Sequence, residues 1–282
     1  MPHDGSAVNM RRHWPEYLME AALLGAFMFA ACVYATALWY PGSPLNAAID
    51  DPLLRRAVMG LAMGLTSMAL VYSPWGQQSG GHMNPALTFT FFRLGKVAPR
   101  DALAYAGCQV AGGIAGALLA GAALGHRVMD PPVNYIVTRP GAYAVTGAFL
   151  GELTISFILM TTILVVTNRP NLARYTPLFG GALVATFITL EDPVSGMSMN
   201  PARTLAVALP SGMWDSIWVY FVAPPLGMLL AAEVFVRVKR PRQLACAKLH
   251  HDNPKRCIFC QFQRSRCGVT AAASTASNVV TA

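Results

Sequence analysis

A ten-residue phrase occurs twice in this chain and contains its most distinctive polar residues. Residues 79–88 read SGGHMNPALT, and residues 195–204 read SGMSMNPART. Both copies lie among long apolar stretches, where a polar Asn followed by a helix-breaking Pro is unfavourable. Paired interruptions in corresponding parts of a membrane protein indicate its working site.

The Asn and Pro of each copy also predict local structure. Asn is a favoured helix N-cap, and Pro is favoured at the first helical position, so helices should begin after Asn84 and Asn200. The apolar runs that follow, 87–95 and 204–212, are too short to cross a bilayer and predict re-entrant half-helices. Non-helical backbone at this depth must be buried in protein or line a water-filled cavity, which predicts a channel. We expect its centre to be formed by Asn84, Pro85, Ala86, Asn200, Pro201 and Ala202.

The composition places these phrases in a membrane. Of the 282 residues, 54% are hydrophobic and 12% are charged, and the mean hydropathy is +0.43. Soluble domains carry about 25% charged residues. Six apolar runs approach the length of about 20 residues that spans a bilayer, and the fifth is the shortest. They cover residues 17–40, 54–75, 102–125, 143–167, 175–190 and 214–238.

The net charge of +8 is distributed in a way that argues against nucleic-acid binding. Basic residues are concentrated before the first run and after the second, fourth and sixth runs, whereas acidic residues dilute the arginines in the other connections. This positive-inside pattern predicts that both termini are cytoplasmic. The first run is longer than the h-region of a signal peptide. Together with the short loops, this favours a bacterial inner membrane.

A loop at residues 130–141 divides the chain into halves of three spans each, about 17–129 and 142–240. Because three is odd, the second half enters the membrane from the opposite side, which gives an inverted repeat. The predicted fold is an all-α membrane protein with six transmembrane helices and two re-entrant half-helices. Residues 17–240 should form the channel domain, and residues 1–16 a cytoplasmic N-terminal segment.

Each half carries one glutamate early in its first span, Glu20 and Glu152. Acids within a membrane can carry protons, so a coupled transporter remains an alternative. We favour a structural role in which each carboxylate accepts N–H groups from the loop before a half-helix. His82 is expected to be a hydrogen-bonded packing residue near the inner mouth, with pH gating as the alternative.

These residues resemble the aquaporin, or major intrinsic protein, family over about residues 16–240. The resemblance rests on the two Asn-Pro-Ala boxes, on Arg203 directly after the second box, and on the paired glutamates. It implies a right-handed bundle of six tilted helices, half-helices that meet at mid-membrane, and a homotetramer with one pore per protomer. The expected function is a passive channel for water and small uncharged solutes that excludes ions and protons.

The resemblance also implies an outer constriction, in which Arg203 faces the permeant. An ion pair between Arg203 and Glu191 or Asp192 is the alternative. Strict water channels of the family usually have an aromatic residue and a His at the first two filter positions. Here the residues at the other three filter positions are apolar, and two of them are flexible methionines. The alternative main solute is therefore glycerol, hydrogen peroxide, ammonia or a metalloid hydroxide. Thr204, where glycerol facilitators typically have Asp, favours water. The predicted filter consists of Met63, Ile188, Met197 and Arg203.

Residues 241–282 are predicted to form a cytoplasmic, partly disordered tail rich in Cys and His. One Cys-x-x-Cys pair with an upstream pair of His residues has spacing compatible with zinc, and disulfides are not expected in a reducing compartment. Reduced thiols and palmitoylation are the alternatives, and a tail that responds to metal or redox state follows from the zinc hypothesis. The sequence shows no activated nucleophile or phosphate loop, so we expect no enzyme and no other cofactor. The candidate metal ligands are Cys246, His250, His251, Cys257 and Cys260.

Overall fold

The computed structural model describes residues 5–239 and 246–261, with side chains from residue 12 to 238 and from 246 to 261. This part of the chain is all-α. The helices are α1 (Gly5–Trp39), α2 (Pro44–Ala48), α3 (Pro52–Tyr72), α4 (Pro74–Ser79), α5 (Pro85–Arg93), α6 (Pro99–Leu124), α7 (His126–Met129), α8 (Ala144–Thr167), α9 (Thr176–Leu190), α10 (Asp192–Ser195), α11 (Pro201–Ser211) and α12 (Ile217–Lys239), with 3₁₀ turns at Asn134–Ile136 and Ala173–Tyr175.

Five helices of the described chain are long and apolar enough to span a membrane. The spans lie in α1, α3, α6, α8 and α12. The fifth predicted run forms α9, which has only 15 residues and packs along α3. The expected fold of six spans and two half-helices is therefore confirmed, with α9 as its short member.

The spans pair in a way that repeats between the two halves. Helix α1 packs along α6, and α8 packs along α12. These pairs approach closely because glycines line the contacts, since a Cβ at Gly112 would collide with the Ala21 carbonyl and one at Gly227 with the Leu153 carbonyl. Small residues allow helix backbones to approach closely within a membrane.

The two half-helices begin where the sequence predicts. Helix α5 follows Asn84, whose side-chain oxygen accepts from the Ala86 N–H at 2.9 Å. Helix α11 follows Asn200, whose oxygen accepts from the N–H groups of Ala202 at 3.0 Å and Arg203 at 3.3 Å. Each half-helix packs against both α6 and α12, one span from each repeat. The half-helices therefore bring the two repeats together at the centre of the bundle.

The predicted N-terminal segment continues the first span as helix. Helix α1 is already formed at Gly5, and its apolar span begins at Arg12. Near the start of this span, buried His13 hydrogen-bonds to buried Asp101 of α6 at 3.0 Å. Of the predicted tail, residues 246–261 are described, and the expectation of disorder falls on residues that include 262–282, outside the described chain.

Candidate functional site

The two half-helix N-termini meet through a reciprocal pair of hydrogen bonds. The Asn84 side-chain nitrogen donates to the Met199 carbonyl at 2.7 Å, and the Asn200 side-chain nitrogen donates to the Met83 carbonyl at 2.7 Å. Each asparagine therefore caps its own helix with its oxygen and bonds to the opposite loop with its nitrogen. Both asparagines also line the central cavity.

This arrangement uses one of the two N–H groups on each asparagine amide. The second N–H group remains to donate to a molecule in the cavity, because an amide nitrogen has two donors. Each half-helix N-terminus also contributes about half a positive charge at the same place. The centre of the cavity is therefore rich in donors and electrostatically positive.

The loop before α5, residues 79–84, is held by Glu20. Its carboxylate accepts from the hydroxyl of Ser79 at 2.7 Å and from the backbone N–H groups of His82 at 3.0 Å and Met83 at 2.6 Å. The side-chain amide of Gln109 donates to the same carboxylate at 2.8 Å. Glu20 is fully buried, so four donors replace the water that it would otherwise bind.

The loop before α11, residues 195–200, is held by Glu152 in the same way. This carboxylate accepts from the hydroxyl of Ser195 at 2.8 Å and from the N–H groups of Ser198 at 2.6 Å and Met199 at 2.7 Å. Glu152 is also fully buried. Neither glutamate is among the described residues that line the cavity, so both carboxylates serve the loops rather than the cavity wall.

The backbone of both loops passes through left-handed conformations at matching positions. Met83 has φ of 48° and Met199 has φ of 53°, which side chains other than glycine rarely adopt. A buried tyrosine fixes each loop from outside, since Tyr105 donates to the Ser79 carbonyl at 2.7 Å and Tyr220 to the Ser195 carbonyl at 2.6 Å. The hydrogen bonds therefore maintain a strained backbone in two loops whose residues line the cavity.

One cavity of about 380 Å³ lies against both loops. Following the orientation predicted from the sequence, we call the part lined by Pro132 and Arg139 the outer mouth and the part lined by His82 and Leu249 the inner mouth. All the predicted filter residues line it, namely Met63, Ile188, Met197 and Arg203. The sequence therefore selected four residues that the fold brings to one cavity.

Arg203 lies at the start of α11 and donates to the Ile136 carbonyl at 3.3 Å. Asp192 lines the same cavity. The ion pairs found among the described side chains are His13–Asp101, Arg93–Glu233 and Arg256–Glu16, and Arg203 takes part in none of them. The geometry therefore does not favour the alternative in which a direct ion pair engages Arg203.

His82 connects the inner loop to the tail. One ring nitrogen hydrogen-bonds to the Thr88 hydroxyl at 3.0 Å, and the other hydrogen-bonds to the Ala247 carbonyl at 2.8 Å. The ring also stacks between Phe91 of α5 and Phe259 of the tail, each with a centroid distance of 5.4 Å. The sequence indicated a packing residue near the inner mouth, but it gave no signal for the tail partner.

The tail brings together four of the five candidate metal ligands. The ligand atoms of Cys246, His251, Cys257 and Cys260 lie within 4.8 Å of one another. His250 is not in this group, because its ring packs edge-on against Tyr72 at 5.2 Å. The two adjacent histidines therefore have different neighbours, which the spacing of Cys and His residues in the sequence does not predict.

Contacts within this cluster shift the acidity of its thiols in opposite directions. The hydrogen bond with Cys246 lowers the pKa of Cys257 well below its usual range, although burial acts against this effect. The same hydrogen bond raises the pKa of Cys246, and burial adds to the rise. Burial also lowers the pKa of Lys248, whose ammonium donates to the Arg256 carbonyl beside Cys257. Cys257 therefore has the strongest thiolate character in the group.

Comparisons with known proteins agree with this architecture. The family model described as Major intrinsic protein matches residues 9–235. Aquaporin NIP1-3 of Oryza sativa subsp. japonica is 36% identical over 173 residues, which cover 61% of this chain and 58% of that protein. Aquaporin Z of Photorhabdus laumondii is 28% identical over 229 residues, which cover 77% of this chain and 95% of that protein.

A solved structure shows the same fold. The X-ray structure of the aquaglyceroporin from Plasmodium falciparum matches with a TM-score of 0.66 and 20% identity, over 82% of this chain and 98% of that one. The chain spans 58%, 59% and 65% of the length of three plant relatives that it matches. The family model covers most of the chain, and the apolar helices make it a multi-pass membrane protein. The chain therefore belongs to the major intrinsic protein family.

Proposed function

We propose that this protein is a passive channel for water and small uncharged solutes that excludes ions and protons. The observation that carries the proposal is the meeting of two half-helix N-termini at Asn84 and Asn200 beside one cavity. Family membership and relatives named as aquaporins support the same class of activity.

Exclusion of ions follows from the charges at this meeting point. Two helix N-termini with about half a positive charge each repel cations, and they do so without a titratable group. A water molecule that accepts from both asparagine amides must turn its oxygen toward them. That orientation interrupts a chain of waters through which protons would otherwise move.

Proton-coupled transport is disfavoured by the surroundings of the buried acids. Glu20 is surrounded by four hydrogen-bond donors and Glu152 by three. Protonation of either carboxylate would break the hydrogen bonds that hold the loops, because a neutral acid keeps fewer acceptor sites. These residues therefore support the pore without carrying protons through it.

A facilitator mainly for a small neutral solute other than water is the second candidate. Its support is the predicted filter, in which Met63, Ile188 and Met197 are apolar and Arg203 is the one charged member. Methionine side chains adapt their shape, and an apolar wall favours solutes with carbon or undissociated hydroxide groups. Glycerol, hydrogen peroxide, ammonia and metalloid hydroxides are the solutes to compare with water.

The proposal includes the arrangement of the protein in the membrane. Basic residues on every second connection support cytoplasmic termini in a bacterial inner membrane. The start of the first span and the described part of the tail lie at the same end of the bundle, because Arg256 donates to the Glu16 carboxylate at 2.6 Å. Homotetrameric assembly, with one pore per protomer, follows from the family resemblance. Size-exclusion chromatography with light scattering would measure the oligomeric state.

Stopped-flow light scattering on proteoliposomes tests the main proposal. We expect vesicles with folded protein to shrink under an osmotic gradient faster than empty vesicles, while a pH-sensitive dye shows no added proton flux. Folded protein with the water permeability of empty vesicles would contradict the proposal. Uphill solute flux driven by a pH gradient would instead identify a coupled transporter.

Met63→Phe separates the two candidate solute classes. A phenyl ring at this position narrows the cavity, so we expect uptake of glycerol to fall roughly tenfold relative to water, equivalent to about 1.4 kcal/mol. Met129→Phe is the matched control, because Met129 is exposed and does not line the cavity in the described chain. Equal flux ratios in both variants would remove Met63 from the filter.

A further inference from the structure

The strongest unexplained feature of the molecule is the thiol cluster in the tail. Cys246 Sγ lies 3.5 Å from Cys257 Sγ and 3.6 Å from Cys260 Sγ, and His251 Nε2 lies 3.1 Å from Cys260 Sγ. The channel mechanism uses none of these residues. Three thiols and one imidazole have been brought together from a segment of only fifteen residues.

The geometry of this cluster fits a tetrahedral metal. With Zn–S bonds of about 2.3 Å, tetrahedral coordination separates two sulfur ligands by about 3.8 Å, close to the distances found here. A Cys₃His set is a common structural zinc site, and a set of four protein ligands leaves no open position for catalysis. A disulfide explains the cluster less well, because one bridge would leave the third thiol and the histidine without a role.

We propose that Cys246, His251, Cys257 and Cys260 bind one zinc ion, and that this metal holds residues 246–261 across the inner mouth of the channel.

The charge of the proposed centre matches its surroundings. Zinc with three thiolates and a neutral imidazole carries one net negative charge. Lys248 is only 2% exposed, and its ammonium donates to the Arg256 carbonyl at 2.7 Å. A buried cation needs a nearby negative charge, and Lys248 binds the chain directly before Cys257, where the carbonyls of Lys255 and Arg256 accept from its ammonium. The metal centre therefore supplies a counter-charge that the carbonyl alone does not.

The cluster sits at the base of a segment that covers the pore. Residues 246–249 are buried, and Leu249 is one of the residues that line the cavity. The Leu249 N–H donates to the Gly80 carbonyl at 3.1 Å, while the Ala247 carbonyl bonds to His82. The tail therefore binds the loop that precedes the inner half-helix.

A second attachment anchors the other end of this segment. Arg256 binds the fully buried carboxylate of Glu16 with Nε at 3.0 Å and a terminal nitrogen at 2.6 Å. Phe259, three residues later, inserts its ring against His82 and Tyr105. The proposed zinc joins Cys246 before the pore contact to Cys257 and Cys260 after it. Metal binding therefore closes a loop whose middle lies over the inner mouth.

Closure of this loop gives the site a function, a statement that rests on the proposed channel activity. With zinc bound, Leu249 stays in the inner mouth and restricts flux. Without zinc, the segment loses its internal crosslink. Its remaining contacts must then offset the conformational entropy that the tail gains when it leaves the inner mouth. The zinc-bound protein should therefore have lower permeability than the metal-free protein.

Metal content of the purified full-length protein tests the site directly. The protein is prepared in detergent under reducing conditions, equilibrated with zinc and freed of unbound metal. We expect one zinc per protomer in the wild type and loss of that zinc in Cys257→Ser/Cys260→Ser. Substitution with Co²⁺ should give the intense visible bands of tetrahedral thiolate coordination, which the double variant should lack.

Two variants serve as controls for this measurement. His250→Ala removes the neighbouring histidine, and Cys108→Ser removes a thiol from the span α6, so both should retain one zinc per protomer. Folded wild-type protein without zinc would overturn the site. Zinc retained in the cysteine double variant, or lost in His250→Ala, would overturn the proposed ligand set.

Permeability of zinc-loaded and zinc-stripped protein tests the closure. We expect stripping to raise the water flux of wild-type proteoliposomes severalfold, and the cysteine double variant to show the higher flux in both preparations. Equal flux in protein that binds zinc would overturn the closure. If no preparation conducts water above empty vesicles, the channel proposal fails, while the zinc measurement still decides the metal site.

Discussion

The inner loop, residues 79–88, and the outer loop, residues 195–204, have the same skeleton but different attachments. In both, a serine hydroxyl and two consecutive backbone N–H groups donate to a buried glutamate. In both, an asparagine caps its half-helix and donates to the opposite loop at 2.7 Å. Both loops therefore satisfy their buried backbone N–H groups with the same arrangement of hydrogen bonds.

The side chains that differ between the loops lie where the two mouths differ. The outer loop has Met197 and Arg203, which face the filter, and the inner loop has Gly81 and Leu87 at the matching positions. The inner loop instead has His82, which binds the tail, where the outer loop has Ser198. The residues that are identical in the two loops hydrogen-bond the buried backbone. The residues that differ give each mouth its own contacts, the filter at the outer mouth and the tail at the inner mouth.

Replacing either of the two glutamates should destabilise the protein more than any other change to these loops. Glu20→Ala and Glu152→Ala each leave several buried donors unsatisfied, at about 1–3 kcal/mol per donor. Glu20 holds four donors and Glu152 three, so both variants should unfold at lower temperature, Glu20→Ala the more severely. Recovery of monodisperse protein from detergent after heating measures this loss.

A third glutamate provides the control for that experiment. Glu233 forms a partly exposed ion pair with Arg93 at 2.7 Å, and exposed pairs contribute little to stability. Glu233→Ala should therefore behave like the wild type. Pore glutamate variants that resist heat as well as Glu233→Ala would show that the loops do not depend on their carboxylates.

Arg203→Leu makes the outer loop match the inner one at the position of Leu87. Removal of the single filter charge should raise the ratio of glycerol to water permeability by roughly tenfold, equivalent to about 1.4 kcal/mol. Proton exclusion should remain, because the half-helix dipoles and the asparagine amides are unchanged. Stopped-flow uptake and a pH-sensitive dye measure the two quantities. Leu87→Met is the matched control, and an unchanged ratio in Arg203→Leu would place the constriction elsewhere.

His82→Ser makes the inner loop match the outer one and should destabilise the protein less than the loss of either glutamate. In the outer loop, Ser198 contacts the Thr204 hydroxyl at 2.6 Å, so serine should preserve the local bond to Thr88. It removes the bond to Ala247 and the ring stack with Phe259, which together contribute about 1–2 kcal/mol. Trypsin should then cut within residues 246–261 roughly tenfold faster, as followed by mass spectrometry.

The control for this variant is a histidine on the opposite side of the bundle. His126→Ser removes a ring that contacts Tyr40, away from the tail. Its tail should be cut at the wild-type rate. If His82→Ser gives that same rate, the docking of the tail does not depend on the histidine.

Local sequence rules predicted much of the fold. Cap and proline preferences located the starts of α5 and α11, because the interactions that decide a helix start lie within three residues. Hydropathy located the spans, and the shortest apolar run became the shortest span, α9. The repeated phrase predicted the pairing of the halves, since a duplicated sequence imposes a duplicated backbone.

Interactions between distant residues were not accessible to these rules. The asparagine amides bond to carbonyls 115 and 117 residues away, and a backbone carbonyl has no sequence signature. Arg256 reaches Glu16 across 240 residues, so only the folded bundle shows that the tail returns to the first helix. His250 and His251 are neighbours of one type, and only tertiary packing separates their surroundings.

The reciprocal asparagine bonds have a consequence for the order of assembly. A ribosome completes the first repeat before the second exists, so the Met83 carbonyl has no partner until Asn200 is made. Likewise, the Asn84 amide lacks this acceptor until the Met199 carbonyl is made. An unpaired polar group in a membrane interior is unfavourable, which leaves the first repeat an unfinished intermediate. Insertion of the second repeat therefore completes both halves in one late, cooperative step.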